Sequence, residues 1–343
     1  MATADSTALR PNPGAEASDA ARPLLSIADL SVSYPRYGQD RVTVLKGIDL
    51  AMQPGEILAL VGESGSGKTM LARSIMRLVP PPGRTDSGRL HFDGQDLRAL
   101  DDEELRKLRG RDIAMVISNP RGELDPLQTV GQQIGSVLRY HLGLDKAAIR
   151  ARVLELLNDV RIPDPERRIR AYPHELSGGM AQRVVMAIAL ACAPKFIISD
   201  DATSGLDVTV QAQVLDLLKG LVTERATSML FITRDIGIAA HFCDHVAVIY
   251  AGEIVEVAPR EEFFENPSHP YSVLLLAAFS HNRRLRKFWL KEDEAKRDIG
   301  PATTGCAFAE RCVRAQPRCR QEHPALSAIA DGHQVRCHYP VER

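Results

Sequence analysis

Eight consecutive residues, Gly62-Glu63-Ser64-Gly65-Ser66-Gly67-Lys68-Thr69, fit the spacing G-x-x-x-x-G-K-[ST]. The chemistry of such a run is the cradling of phosphates. Its glycines let backbone N–H groups wrap phosphate oxygens, Lys68 reaches β- and γ-phosphates, and the Thr69 hydroxyl can ligate Mg2+. A helix starting beside Lys68 adds the positive end of its dipole. Because the run lies between an apolar strand-like segment, EILALV (56–61), and a helical stretch (69–78), an incidental Gly-rich turn is a poor account of it. ATP or GTP is the expected ligand.

A second run, Leu176-Ser177-Gly178-Gly179-Met180-Ala181-Gln182-Arg183, precedes the apolar helical segment VVMAIALACA. A Ser-Gly-Gly turn at a helix start exposes another row of N–H donors that suits a phosphate, a plain helix cap being the lesser alternative. With both runs in hand, the sequence resembles the ATP-binding-cassette (ABC) ATPases from about Leu24 to the end of the chain. In that family an LSGGQ-like turn clamps the γ-phosphate of a nucleotide held by the P-loop of a partner subunit. The resemblance implies that Tyr34 stacks on adenine and that Asp200, ending the strand Ile197-Ile198-Ser199-Asp200, engages Mg2+. It also implies that Ser177, Gly178, Gly179 and Gln182 serve the nucleotide from the signature turn. Ser204-Gly205-Leu206-Asp207 matches the D-loop, which contacts the opposite nucleotide across a dimer.

Hydrolysis in this family needs a carboxylate to orient water, a Gln to sense the metal and a His to contact the γ-phosphate, and this chain differs at all three. Asp201 stands where Glu is expected, in DDAT rather than DEPT; a side chain shorter by one methylene withdraws the carboxylate, and misplacement by about 1 Å can cost on the order of 10²-fold in rate. Ser118 occupies the Gln position, and Arg234 replaces the switch His. A guanidinium pairs with phosphate but accepts no hydrogen bond, as neutral imidazole does. Three departures aimed at one chemical step point to a site that binds ATP and hydrolyses it poorly, slow turnover through Asp201 and Arg234 being the milder alternative. The expected arrangement is therefore a heterodimer, in which this chain lends its intact LSGGM turn to a second ABC ATPase subunit.

Four of the six cysteines, Cys306, Cys312, Cys319 and Cys337, cluster near the C-terminus. With no CxxC pair a zinc ribbon is a weak reading, and irregular spacing suits four thiolates wrapping an iron–sulfur cluster. Arg311, Arg314, Arg318, Arg320 and Arg336 are nearby charges that could offset it. The segment resembles the C-terminal extension of oligopeptide and dipeptide importer ATPases, where GC-x-F-x-x-RC and a later Cys recur and ligate a 4Fe-4S cluster in some members. Asn266-Pro267-x-His269-Pro270-Tyr271 is similar to the NP-x-HPYT segment before that extension. A 4Fe-4S cluster is the favoured reading, with zinc, free thiols or a disulfide as alternatives. Cys192 and Cys243 read as core residues, and His323, His333 and His338 as solvated loop histidines rather than ligands.

The elements that must position these residues follow from periodicity. Leu24 to Tyr34 and Val42 to Leu50 alternate like strands around the turn-rich PRYGQD, while Gln128 to Asp159 reads as two helices separated by HLGLD. From Lys195 onward, FIISD, MLFIT and HVAVIY alternate with helical runs, as in a parallel sheet. The expected fold class is α/β, a P-loop NTPase of the ABC nucleotide-binding type, with an antiparallel β subdomain, a helical insertion and a small Cys-containing C-terminal extension. The divisions expected are a disordered lead-in at 1–23, the nucleotide-binding domain at 24–280 with its helical subdomain at about 120–190, a charge-dense linker at 281–300 and the extension at 301–343.

With 43 Lys plus Arg against 44 Asp plus Glu, the net charge is -1, which argues against binding nucleic acid through a broad basic face. No apolar run approaches the roughly 20 residues that span a bilayer, and residues 1–23, with acidic residues and prolines but no apolar h-region, do not read as a secretory signal. The resemblance implies a peripheral ATPase subunit of a peptide-class importer on the cytoplasmic side of the inner membrane. Its partners would be a second ATPase subunit, two transmembrane permease subunits and an extracytoplasmic substrate-binding protein. Two other readings are a soluble ABC-type ATPase in DNA repair or cofactor assembly, and a regulatory nucleotide sensor.

Overall fold

The computed structural model describes residues 22–279 and 304–341 apart from 37, 118, 203, 204 and 206. The expected linker at 281–300, nearly all of the lead-in, Ser118, Ser204 and Leu206 lie outside the described residues. A four-stranded antiparallel sheet, in the order β2-β1-β4-β5, is built from β1 (Leu25–Arg36), β2 (Gln39–Met52), β4 (Arg84–Phe92) and β5 (Gln95–Asp96). An eight-stranded sheet has the order β11-β12-β10-β9-β3-β8-β7-β6. It comprises β3 (Ile57–Val61), β6 (Ile113–Ile117), β7 (Phe196–Asp200), β8 (Ser228–Thr233), β9 (His245–Tyr250), β10 (Glu253–Pro259), β11 (Ser327–Ala330) and β12 (His333–Val335). Neighbours from β9 through β3, β8 and β7 to β6 are parallel, whereas β10, β12 and β11 continue the sheet antiparallel.

The central strands are buried along their whole length, as parallel strands covered on both faces must be. Their two-residue period divides them between two cores. Leu58, Leu60, Leu230 and Ile232 face the antiparallel sheet and helix α1 (Lys68–Ile75), where they meet Leu71 and Ile75. Ile57, Ala59, Val61, Met229 and Phe231 face the opposite core. That core contains α4 (Val130–Leu142), α5 (Lys146–Asp159), α7 (Gly178–Leu190), α8 (Val208–Glu224) and α9 (Ile236–Phe242); further short helices are α2 (Asp102–Leu108), α3 (Pro120–Glu123), α6 (Pro165–Arg168) and α10 (Arg260–Glu265). The HLGLD break has a local cause: Gly143 ends α4 at φ 62, and the Asp145 carboxylate caps α5 by accepting from Ala148 N.

The C-terminal segment is stitched into the main sheet rather than hung beside it. The β11–β12 hairpin pairs with β10, Glu256 opposite Val335 and Val257 opposite Gln334. This pairing corrects the expectation for His333 alone. His333 is completely buried in β12, its Nε2 2.8 Å from Glu256 Oε1. His323 meets Glu253 at 2.9 Å and His338 meets the Glu322 carbonyl at 2.9 Å. Strand pairing with a distant segment, invisible in local sequence, removes His333 from water.

Candidate functional site

The carboxyl ends of β3, β8 and β7, adjacent in the sheet, open into one cleft of about 330 Å3, the place where open parallel sheets bind ligands. Lys68, Thr69, Asp200, Asp201, Thr233 and Arg234 are among its lining residues. Gly62 lets the loop leave β3 tightly, since a Cβ there would stand 2.2 Å from the Ile249 carbonyl oxygen. Gly67 opens α1 in the left-handed region, φ 111. Lys68 Nζ donates to the carbonyls of Gly62 and Glu63, both at 2.7 Å. Burial lowers the Lys68 pKa, opposed by the charges of Asp200 and Asp201. The ammonium is thus held in a partly dry loop among backbone acceptors.

Asp200 ends β7 and accepts a hydrogen bond from the Thr69 side chain. Burial, aided by the charge of Asp201, raises its pKa, while Thr69 and Lys68 pull it down. A hydroxyl and a buried carboxylate side by side are hard oxygen donors, the set that Mg2+ takes together with phosphate oxygens. Asp201 follows in the left-handed region at φ 51, its N–H donating to Ile232 O at 3.0 Å. Arg234, beyond β8, donates from Nε at 3.1 Å and from Nη2 at 2.8 Å to Asp201 Oδ2.

Other sequence-singled residues lie elsewhere. Tyr34 is half-buried beside the cleft, its hydroxyl 3.8 Å from the sulfur of Met70, a lining residue, and its ring is packed where a Cβ on Gly83 would collide at 2.3 Å. Ser177 is exposed and caps α7, accepting from Met180 N at 3.3 Å. Gly179 meets α8 so closely that a Cβ would stand 2.7 Å from Val210 Cγ1. None of Ser177, Gly178, Gly179 and Gln182 lines the cleft of their own chain. Gln182 departs from expectation: its phase on α7 carries it inward, where it is 1% exposed and both polar atoms of its amide lack a hydrogen-bond partner. Asp207 caps α8 by accepting from Val210 N at 2.9 Å.

Cys306, Cys312, Cys319 and Cys337 line one narrow cavity with His269, Phe308 and Arg314. Burial pushes the Cys306 thiol up to about 11 and Cys312 up to about 12, and raises Cys337 as well. Among the described residues no group of three or more His, Cys, Asp or Glu side chains is placed to hold a metal ion. Of the five arginines expected to balance a cluster, only Arg314 lines the cavity. Arg318 and Arg320 pair with Glu322 and Glu310, Arg336 donates to the carbonyls of Ile254 and Pro324, and Arg311 reaches Glu63 of the phosphate loop. That last contact spans 248 residues of sequence, and neither motif announces it.

A Gly-rich loop between a central parallel strand and its helix, facing an Asp at the end of a neighbouring strand, defines a P-loop nucleotide-binding protein. The antiparallel sheet and helical layer packed around it are those of an ABC cassette. The dimeric structure of the ATP-binding cassette MJ0796 in a post-hydrolysis state bound to ADP and Pi is similar, with a TM-score of 0.62 and 28% identity, covering 69% of this chain and 98% of that one. The ABC transporter family matches residues 45–204, and the family described as oligopeptide/dipeptide transporter, C-terminal region, matches residues 255–319. A probable peptide ABC transporter ATP-binding protein of Sinorhizobium fredii, y4tR, is 42% identical, covering 92% of this chain and 94% of that protein. The dipeptide transport ATP-binding protein DppD of Escherichia coli is 39% identical over 93% and 97% of the two chains. The oligopeptide transport ATP-binding protein OppD of Bacillus subtilis is 42% identical over 91% and 88%. This chain belongs to the ATP-binding proteins of the ABC transporter family, in the branch that carries the oligopeptide/dipeptide transporter C-terminal region. Among the described residues no helix is long and apolar enough to cross a membrane.

Proposed function

We propose that this chain is the ATP-binding subunit of a peptide-class ABC importer, that it holds MgATP in its own cleft with little hydrolysis there, and that it lends its signature turn to a second ABC ATPase subunit. The transport class rests on relatives named for peptide, dipeptide and oligopeptide transport. The asymmetric mechanism rests on the Arg234–Asp201 contact, which commits the carboxylate that should orient water to an internal ion pair.

Backbone N–H groups of 62–69 would take the phosphates, Lys68 would move from the loop carbonyls onto the β- and γ-phosphates, and Tyr34 would face the base. Thr69 and Asp200 would hold Mg2+, which neutralises phosphate charge. Ser177, Gly178 and Gly179, absent from their own cleft, are free to close on the partner's nucleotide, while Asp207 ends the D-loop at the same interface. Closure of the two ATPase subunits would drive two transmembrane permeases supplied by an extracytoplasmic substrate-binding protein, at the cytoplasmic face of the inner membrane.

The test is steady-state ATPase of the purified complex. Ser177→Arg should abolish most turnover, and Lys68→Ala should leave most of it; greater damage from Lys68→Ala would overturn the division of labour.

Four thiols lining one cavity are the ligand type that a 4Fe-4S cluster takes, and this is what supports the reading. We assign them that role, with zinc as the alternative. Iron and sulfide analysis with an anaerobic absorption spectrum distinguishes the two, and four thiols with neither metal would refute both.

A further inference from the structure

Glu63, inside the phosphate loop, is pinned at three points. Its carbonyl accepts from Lys68 Nζ at 2.7 Å, its N–H donates to the Tyr271 hydroxyl at 3.0 Å, and its carboxylate receives both terminal nitrogens of Arg311 at 2.9 and 3.0 Å. Two of these three anchors come from the C-terminal part of the chain, Tyr271 from the HPY segment on α11 (Pro270–Phe279) and Arg311 from the cysteine segment. Arg311 is itself fixed by its planar group, which lies 5.6 Å from the Tyr250 ring centre and 5.7 Å from that of Phe308. Phe308 packs edge-on against Tyr250 at 5.2 Å and lines the cysteine cavity with Cys306 and Cys312. One short arm, 306–312, therefore touches the cysteine cavity on one side and the phosphate loop on the other. The fork-to-fork geometry is the form of ion pair that fixes direction as well as distance.

We propose that Arg311 is a positioning residue for nucleotide binding: it sets the plane of the Glu63 peptide, hence the course of the phosphate loop, and makes nucleotide affinity conditional on a seated cysteine segment. The HPY segment acquires a role in the same device. Glu256 Oε1 and Oε2 accept from the N–H groups of Ser268 and His269, each at 2.8 Å, and hold Tyr271 beneath the loop.

The inference rests on the reading of the cleft as an ATP site, and the two can fail separately. MgATP binding to the full-length chain is measured by calorimetry, together with hydrogen exchange of amides 62–68. Arg311→Gln and Glu63→Gln should each weaken MgATP roughly fivefold to tenfold, and the double variant no further. Exchange should rise at 62–68 while β10 and β12 stay protected. Arg311→Lys, which keeps charge and loses the fork, should show a smaller loss and serves if the Gln variant does not fold. Unchanged affinity in Arg311→Gln overturns the proposal, as does a loss accompanied by exposure of β10 and β12, which would mean detachment of the whole segment. Failure of the unaltered chain to bind MgATP would instead overturn the reading of the cleft.

Discussion

Arg234 places two N–H donors on a single oxygen of Asp201, Oδ2, leaving the other carboxylate oxygen outside the pair. The pair lies at the cleft with Arg234 half-exposed, so its worth for stability is small, at most about 1 kcal/mol. Its chemical effect is larger. An oxygen that already accepts two N–H donors has both lone pairs engaged and cannot also hold an attacking water in place.

Restoring the missing chemistry should therefore need both positions. Asp201→Glu combined with Arg234→His is expected to raise turnover at this chain's own site by about 10²-fold. The measurement is ATPase of a complex whose partner subunit carries Ala at its P-loop lysine. A double variant no faster than the parent would place the block elsewhere.

The close approach of α7 to α8 gives a second expectation. Gly179→Ala introduces a methyl 2.7 Å from Val210 Cγ1, so α7 and α8 must separate or the Val210 side chain must turn, and the prediction is that the signature turn moves. Turnover by the complex should fall by about 10-fold or more, and Val210→Ala should recover much of it by giving the methyl room. Equal activity in Gly179→Ala would show that the turn tolerates displacement.

His269 supplies a pH dependence. Burial holds it down to about 4, against a partial opposing pull from Glu256. The folded chain keeps it neutral where the unfolded chain protonates it, so its contribution is complete above the unfolded value near 6.5 and is lost as pH falls to about 4. That window amounts to about 3 kcal/mol. Denaturant unfolding of His269→Gln between those pH values should show a correspondingly flatter profile; parallel curves for the two proteins would contradict the assignment.

Glu256 is completely buried and accepts from two backbone N–H groups while contacting His333. Glu256→Ala removes the acceptor for both and takes away the carboxylate 2.8 Å from His333, at an expected cost of about 3–5 kcal/mol. Limited proteolysis should then cut first within the β11–β12 hairpin, 327–335. A variant as resistant as the parent would mean that other contacts seat it.

Local chemistry made much of this legible. The phosphate loop, its strand and its helix follow from eight residues and the apolar runs beside them, and the α4–α5 break from a glycine and an aspartate two residues apart. Convergence of the four cysteines on one cavity also agrees with their clustering in sequence. Contacts between remote segments were not legible. Arg311 reads as one of several positive charges near cysteines, and only the fold brings it to Glu63. His333 looks like a loop residue until β12 pairs with β10. Gln182 sits beside a signature turn, and helical phase, a matter of one residue in a turn, decides that it faces the core.

The seam between β10 and β12 bears on how the protein is made. β10 is synthesised well before the strand that covers its outer edge, so the emerging chain carries a row of bare N–H and C=O groups on an apolar strand until the last segment arrives. During that interval the sheet is open to pairing with a neighbouring chain. The C-terminal hairpin covers that edge and leaves the four-residue β11 as the edge in its place, and chains interrupted upstream of it should be the ones that need a chaperone.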